Sequence, residues 1–529
     1  MTGKAEYDAV VIGGGHNGLT NAAYLARAGV RVLVLEKRHV LGGAAVTEEI
    51  FPGFKYSVCS YVVSLLRPEI IRELNLPGHG LEILPLESTC TPLLNGDHLM
   101  RWADHDLTRR ELYRHSPRDA DAYDEFGELL YQLAYAVKPL LSMIPSDFTS
   151  LKPRDLLGLG KLARHMSGLD PATFHALHKL MTMSSADFLD EWFETDALKA
   201  TLAASGIIGT FMGPRSPGTA YVLLHHYMGE IDGVFRAWGF PRGGTGAVSE
   251  AIASAARGFG ATTRTEATVT NILVQDGHVR GVALDSGEEI NARIVVSALD
   301  PNRTFLGLTD ARHLPDEFVN TIRRYKTRGS SGKVNLSLSA LPEFTCLPGT
   351  KAHLRGAVSI SPSVEYLEHA YDDAKWGQYS RRPYMDILIP SMIDPTMAPP
   401  GHHVMSIFVQ YAPSSLAGGW DDRQRDAFGD TVIKTLAEYA PNLEDIIMHK
   451  QVLTPWDLEQ EFGLTGGNIF HGELDLHQLF FLRPAAAWAN YTTPIANLYQ
   501  CGSGTHPGGG VSGASGRLAA QTVLRGLRS

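Results

Sequence analysis

The residues best placed to do chemistry stand near the start of the chain: Gly13-Gly14-Gly15-His16-Asn17-Gly18, directly after an apolar run at residues 7–12. Gly13 permits a tight turn, Gly15 lets the backbone approach a pyrophosphate, and Gly18 lets the next helix pack close on the strand. Such a turn offers phosphate oxygens unpaired N–H groups and a helix end carrying roughly half a positive charge. A second apolar run, residues 30–35, ends at Glu36, where a carboxylate can accept hydrogen bonds from ribose hydroxyls. Strand, turn, helix, strand and acid together specify a dinucleotide site, and leave NAD and FAD both open.

The elements that must position these residues are spread along the chain. The 53 glycines concentrate at 13–18, 42–43, 239–246 and 502–516, each beside a Val/Ile/Leu-rich run, as where strands end in turns that approach a ligand. If the first and last clusters serve one ligand, the binding domain is discontinuous and other domains are inserted into it. Residues 107–235 read as largely helical, with Phe126, Leu129, Leu130, Leu133, Val137, Leu140, Leu141 and Ile144 at helical spacing. Residues 246–259 read as a helix. A three-stranded meander follows, turning at Asp276-Gly277 and at Asp285-Ser286-Gly287. Strand-like runs at 334–338, 385–389 and 404–409 alternate with turn-rich text, and 422–439 reads as a helix.

Composition excludes several classes. The formal net charge of -10 lacks the basic excess that phosphate backbones select, so no nucleic-acid partner is expected. Cys59, Cys90, Cys346 and Cys501 lie far apart without a CxxC pair, which signals neither a disulfide framework nor a zinc site and fits a reducing, cytoplasmic setting. His225-His226 and His402-His403 lack a Cys or carboxylate at ligand spacing, so no metal is expected. A strand pattern by residue 7 leaves no room for a signal or transit peptide, and no window of 18 uninterrupted apolar residues exists.

Leu41-Gly42-Gly43-Ala44-Ala45, whose doublet begins six residues past the acid, resembles the second glycine element of the FAD-binding amine oxidase and phytoene desaturase superfamily. That family commonly has Arg where this chain has Ala44. The stretch Leu498 to Ser512, with its Gly502-Ser503-Gly504-Thr505-His506-Pro507-Gly508-Gly509-Gly510-Val511 core, resembles the final strand, Gly-rich turn and helix start of phytoene desaturases. A helix beginning near Val511 and Ser512 would aim N–H groups at the flavin N1 and O2 region, where negative charge collects on reduction. Residues 264–271 resemble the strand whose valine, here Val269, contacts the adenine side. Residues 294–297 resemble the strand that rejoins the sheet, and Pro241-Arg242-Gly243-Gly244 the crossover from the inserted domain. Thr454-Pro455-Trp456-Asp457-Leu458-Glu459, Gly466-Gly467-Asn468-Ile469-Phe470-His471-Gly472-Glu473 and Arg483-Pro484 resemble the branch of pyridine nucleotide-disulfide oxidoreductase domain-containing proteins, although no redox CxxC is present.

The resemblance implies an α/β fold: a discontinuous Rossmann-type FAD-binding domain (1–106, 240–310 and 483–529), an inserted helical region (107–239) and a mixed-sheet substrate domain (311–482). FAD would be held by Gly13, Gly15, Asn17, Gly18, Glu36, Lys37, Gly42, Gly43, Ala44, Val269, Gly502, Gly504, Gly510, Val511 and Ser512. It would be non-covalent, since Cys501 ends an apolar strand and reads as a buried thiol. Lys333 resembles the lysine that holds a water near flavin N5 in flavin amine oxidases, and it shares a strand face with Asn335 and Ser337. His471 and His506 lie in the two family-like loops, where imidazole is the usual proton shuttle. The implied activity is a dehydrogenase or desaturase moving hydride from a small apolar, isoprenoid or lipid-like substrate to the flavin. A flavin amine oxidase and an FAD protein acting through partners are the alternatives; peripheral membrane contact and self-association stay open.

Overall fold

In the computed structural model, which describes residues 6–528, the apolar run becomes the strand Tyr7–Ile12, at the middle of a seven-stranded sheet. The strand order is Thr262–Arg264, Val32–Leu35, Tyr7–Ile12, Glu289–Ser297, His278–Leu284, Val269–Gln275, with Leu498–Gln500 also on Glu289–Ser297. Tyr7–Ile12 is parallel to both neighbours. Glu289–Ser297 serves two structures at once. Glu289 to Asn291 pair antiparallel with the hairpin, and Val295 to Ser297 pair parallel with Leu498–Gln500. The hairpin closes at Gln275 and His278 through Asp276 and Gly277, both left-handed, the two-residue turn that matches strand twist.

Three separated pieces of sequence thus make one sheet, the discontinuous architecture expected from the glycine clusters. Helices His16–Arg27, Gly246–Gly258 and Ala514–Arg528 cover it through Leu19, Ala23, Val248, Ile252, Leu518 and Val523, all buried in one core. The first and last helices approach to backbone contact. A Cβ on Gly516 would strike the Asn17 carbonyl.

The second sheet runs Ile447–Leu453, Ser331–Leu338, His403–Gln410, Tyr384–Leu388, Ala357–Ile360, Ser88–Pro92, His98–Trp102. Its last two strands correct the expected first FAD segment, 1–106. Residues 88–102 leave the nucleotide sheet, because Cys90 and Met100 bury their side chains in the core of the second sheet with Val358 and Ile387. Ser331–Leu338 is buried along its whole length. Its odd-numbered polar face lies against residues 56–61, and its apolar face against Phe428 and Val432 of the helix Asp422–Ala437. The inserted helices include Pro117–Leu141, whose Phe126, Leu130, Leu133, Val137 and Leu141 face the core. No helix among the described residues is long and apolar enough to cross a membrane.

One side chain joins the two ends of this architecture. Arg483, fully buried, donates through Nε to the Ser503 carbonyl, through Nη1 to the carbonyls of Glu473 and Gln478, and through Nη2 to those of Phe470, Gly472 and Ser503. Lysine has three donors where arginine has five in a planar fork, so Arg483→Lys leaves carbonyls unpaired. We expect it to lower the unfolding free energy by about 3 kcal/mol, read from the urea midpoint at constant slope. A change below about 1 kcal/mol would show that the carbonyls find other donors.

Candidate active site

The first glycine turn is built around the acid. Glu36 accepts from the Gly14 N–H at 2.8 Å through Oε2 and from the Arg38 N–H at 2.9 Å through Oε1. A carboxylate has about four lone-pair sites, so two remain for ribose hydroxyls. The glycines divide by what surrounds them. A Cβ on Gly18 would strike the Gly13 carbonyl, and one on Gly13 would lie 3.1 Å from Leu299, so these two secure packing. At Gly15 nothing comes nearer than 4.0 Å, where Gly42 and Gly43 stand opposite. The space beside Gly15 is the cradle, and the Gly42-Gly43 doublet forms its far wall. The Gly42 N–H donates to the Gly14 carbonyl at 2.9 Å, and the Ala44 carbonyl accepts from the Ser60 N–H.

Other expected contacts converge here. Asn17 Nδ2 donates to Ser503 Oγ at 3.1 Å, tying the first glycine turn to the last. The Glu266 and Ala267 N–H groups donate to the Arg38 and Glu36 carbonyls, which brings buried Val269 to the acid's end of the site. Gly502 and Gly504 press against Ala298 and Pro301, so their smallness seats the last turn on the sheet. Two expectations change. The last helix begins at Ala514, not near Val511, because Gly510 (φ 102°) and Gly513 (φ 69°) hold the chain in left-handed backbone; the Ser512 hydroxyl instead accepts from the Ala514 N–H. Lys37 is an exposed side chain reaching the Gln460 carbonyl. Its neighbour Arg38, which sequence reasoning missed, turns inward: Nη2 binds both oxygens of Glu48, the guanidinium lies 4.5 Å from the Phe462 ring centre, and Nη1 is buried without a partner.

Lys333 is buried, with Nζ 4.5 Å from the centre of the Tyr61 ring and no hydrogen-bond partner. Burial pushes its pKa down to about 7, against the pull of Cys59 and Asp386. Tyr61 donates its hydroxyl to Asp386 Oδ2 at 2.6 Å, and burial pushes that carboxyl up to about 6. Neither Tyr61 nor Asp386 carried a sequence signal, since their link to Lys333 spans three elements. Cys59 beside them is pushed up to about 12 by burial.

The two histidines sit in different company. His471, left-handed and half-buried, faces His16 of the first turn, and neither His471 Nδ1 nor His16 Nε2 has a partner. Burial lowers His471, and pushes His16 down to about 4 with His471 adding to the shift. His506 contacts the Leu140 carbonyl through Nε2 at 3.0 Å, and burial lowers it to about 4. A carbonyl partner places the proton on Nε2, leaving Nδ1 as a bare acceptor. His506 also lines a cavity of about 330 Å³ whose walls are Val137, Leu162, Met166, Leu177, Phe480 and other apolar residues. Cys501 is free and fully buried, and burial raises its pKa, so it offers no thiolate.

An open backbone cradle, a carboxylate with lone pairs to spare, and the unpartnered nitrogens of His16, Arg38 and Lys333 fit an extended flavin dinucleotide. Comparison with known proteins agrees. The profile of the family described as flavin containing amine oxidoreductase matches residues 18–524. The chain is 43% identical to pyridine nucleotide-disulfide oxidoreductase domain-containing protein 2 of Rattus norvegicus, over 99% of this chain and 94% of that one. It is 28% identical to a limonene dehydrogenase polypeptide of Castellaniella defragrans, over 100% and 96%. In fold it matches putrescine oxidase, wild type bound to putrescine, with a TM-score of 0.59 and 16% identity over 99% of each chain. With the family model spanning nearly the whole chain and the cradle built for its cofactor, this protein belongs to the flavin containing amine oxidoreductase family and is an FAD-dependent oxidoreductase.

Proposed function

We propose that this oxidoreductase is a dehydrogenase or desaturase acting on a C–H bond of an apolar, lipid-like or isoprenoid molecule. The observation that carries this reading is the cavity beside His506, which is lined by apolar side chains with Ser146, His178 and His506 as the polar exceptions and contains no carboxylate. A charged amine would need an acidic partner there. The limonene dehydrogenase relative, whose name gives it a hydrocarbon, points the same way.

When bound, FAD supplies the hydride acceptor, and the chain positions, desolvates and handles protons. Gly15, Glu36, Gly42 and Gly43 would hold it non-covalently, and Arg38, Val269 and Asn17 would complete the pocket. His506 Nδ1, without a partner in the fold, is free to accept a hydrogen bond from a bound molecule. Lys333 is uncharged above about pH 7, so its nitrogen carries a lone pair and can hold a water or take a proton.

Anaerobic mixing with an apolar isoprenoid hydrocarbon should bleach the bound flavin while a primary amine should not. Bleaching by the amine alone would overturn the reading. Three further outcomes test the cofactor site and Lys333. Gly15→Val fills the cradle and abolishes flavin retention, measured as flavin absorbance per chain; normal content would move the phosphate site elsewhere. Acid precipitation of the wild type releases the colour to the supernatant, and flavin on the pellet would show a covalent link. Lys333→Met keeps its FAD but loses an ionisation near pH 7 in the rate of flavin reoxidation. The stability change has a definite sign. Lys333 in the folded state sits below its ordinary value of 10.5, so between about 7 and 10.5 the unfolded chain binds more protons. Wild-type stability therefore gains a contribution that grows as pH rises through that window. Denaturant midpoints across pH should show this rise in the wild type and its absence in Lys333→Met.

A further inference from the structure

The mouth of the apolar cavity is surrounded by large apolar side chains that the fold leaves in water. Leu151 is 86% exposed, Leu157 69%, Phe148 52% and Leu156 50%, and Phe174 and Phe481 are exposed beside them. Phe148, Phe174 and Phe481 form one surface at the cavity, and Leu151, Leu156 and Leu157 project into solvent from the adjoining segment. Phe148 packs its ring on Phe481 with centres 4.5 Å apart, and Phe148, Phe174 and Phe481 all line the cavity. Leu156 and Leu157 sit on the helix Pro153–Ser167, whose next residues, Gly158 and Leu159, belong to the cavity wall. Single exposed apolar residues are ordinary, but a contiguous cluster marks an interaction site.

The charge around the cluster identifies the partner. Lys152, Arg154, Lys161 and Arg164 are exposed, and none forms a salt bridge within the described residues. The acid among them, Asp155, is buried and accepts from the Ser150 hydroxyl, while Asp147 at the rim accepts from Thr149. A chain of net charge -10 thus gathers four cations around this exposed apolar cluster, with Asp147 near Lys152 the half-buried acid that acts on them. A basic helix with protruding leucines is the pattern that lies in the plane of a lipid interface, with apolar residues sunk past the headgroups and cations at anionic phosphates. Pairing with a second copy would set these four cations against themselves, a like-charge contact.

We propose that this face docks on an anionic lipid surface, with the cavity mouth opening into the acyl region. The docking does not depend on the identity of the substrate, and its test measures no turnover. Full-length, FAD-loaded protein is centrifuged with vesicles of phosphatidylcholine alone or with phosphatidylglycerol added, and without vesicles. Wild type should pellet with the anionic vesicles, less with the neutral ones, and less at high salt. Leu151→Asp with Leu157→Asp should weaken partitioning by about tenfold or more, and Lys152→Glu with Arg154→Glu should remove the preference for phosphatidylglycerol. All four positions are exposed and line no cavity, so FAD content and thermal unfolding should match wild type. Wild type that stays in the supernatant with both vesicles, or a leucine variant that binds as wild type does, would overturn the proposal. Pelleting without vesicles that the leucine variant abolishes would assign the face to self-association instead.

Discussion

The buried guanidinium of Arg483 is the constraint around which the redox end of the molecule is organised. A cation in the interior costs several kcal/mol unless its donors are all met, and here backbone carbonyls meet them instead of a carboxylate. Five carbonyls are turned toward one point, from Phe470, Gly472, Glu473, Gln478 and Ser503. This fixes the 470–478 loop of the second domain against the last turn of the nucleotide domain. Phe470 then packs so tightly on Gly509 that no Cβ fits there, and its ring stacks on His226. Glu473 remains free to pair its carboxylate with Arg328.

Close backbone approach does the same work at the other end. Gly18 against Gly13 and Gly516 against Asn17 let the first helix sit between the opening strand and the closing helix. Asn17 adds a side-chain bridge to Ser503. Chain segments almost 500 residues apart therefore share one surface. The loop-closure entropy of such distant contacts grows only logarithmically with separation, so large insertions between the two ends are tolerated. The open glycine cradle lies where those ends meet.

What could be read in the sequence follows from this geometry. The glycine turn, Glu36, the doublet and the Asp276-Gly277 hairpin were legible because their chemistry requires particular residues within a few positions. Lys333 was legible as a strand residue sharing a face with Asn335 and Ser337; its burial was not, since both faces of that strand are covered by parts of the chain far away. Ser88–Pro92 carries too few apolar residues to announce a strand of the second sheet. Arg38 and Lys37 are adjacent cations, and only the packing of Phe462 and Glu48 decides which turns inward. Cys90 and Cys346, read as remote, interact in the second core, both as free thiols. In each case the deciding partner is non-local, which spacing cannot reveal.

Burial also sets the electrical character of the site. His16 and His506 are pushed down to about 4 and Lys333 to about 7, so at neutral pH the histidines present lone pairs and Lys333 balances between its two forms. The permanent charges are engaged: Arg483 by carbonyls, Arg38 by Glu48, Glu36 by backbone N–H groups. The anion beside Lys333 is Asp386, and its Oδ2 is already held by the Tyr61 hydroxyl. An uncharged molecule crosses such a boundary at least cost. The same desolvation that discharges these side chains thus agrees with the apolar substrate proposed for the cavity beside His506.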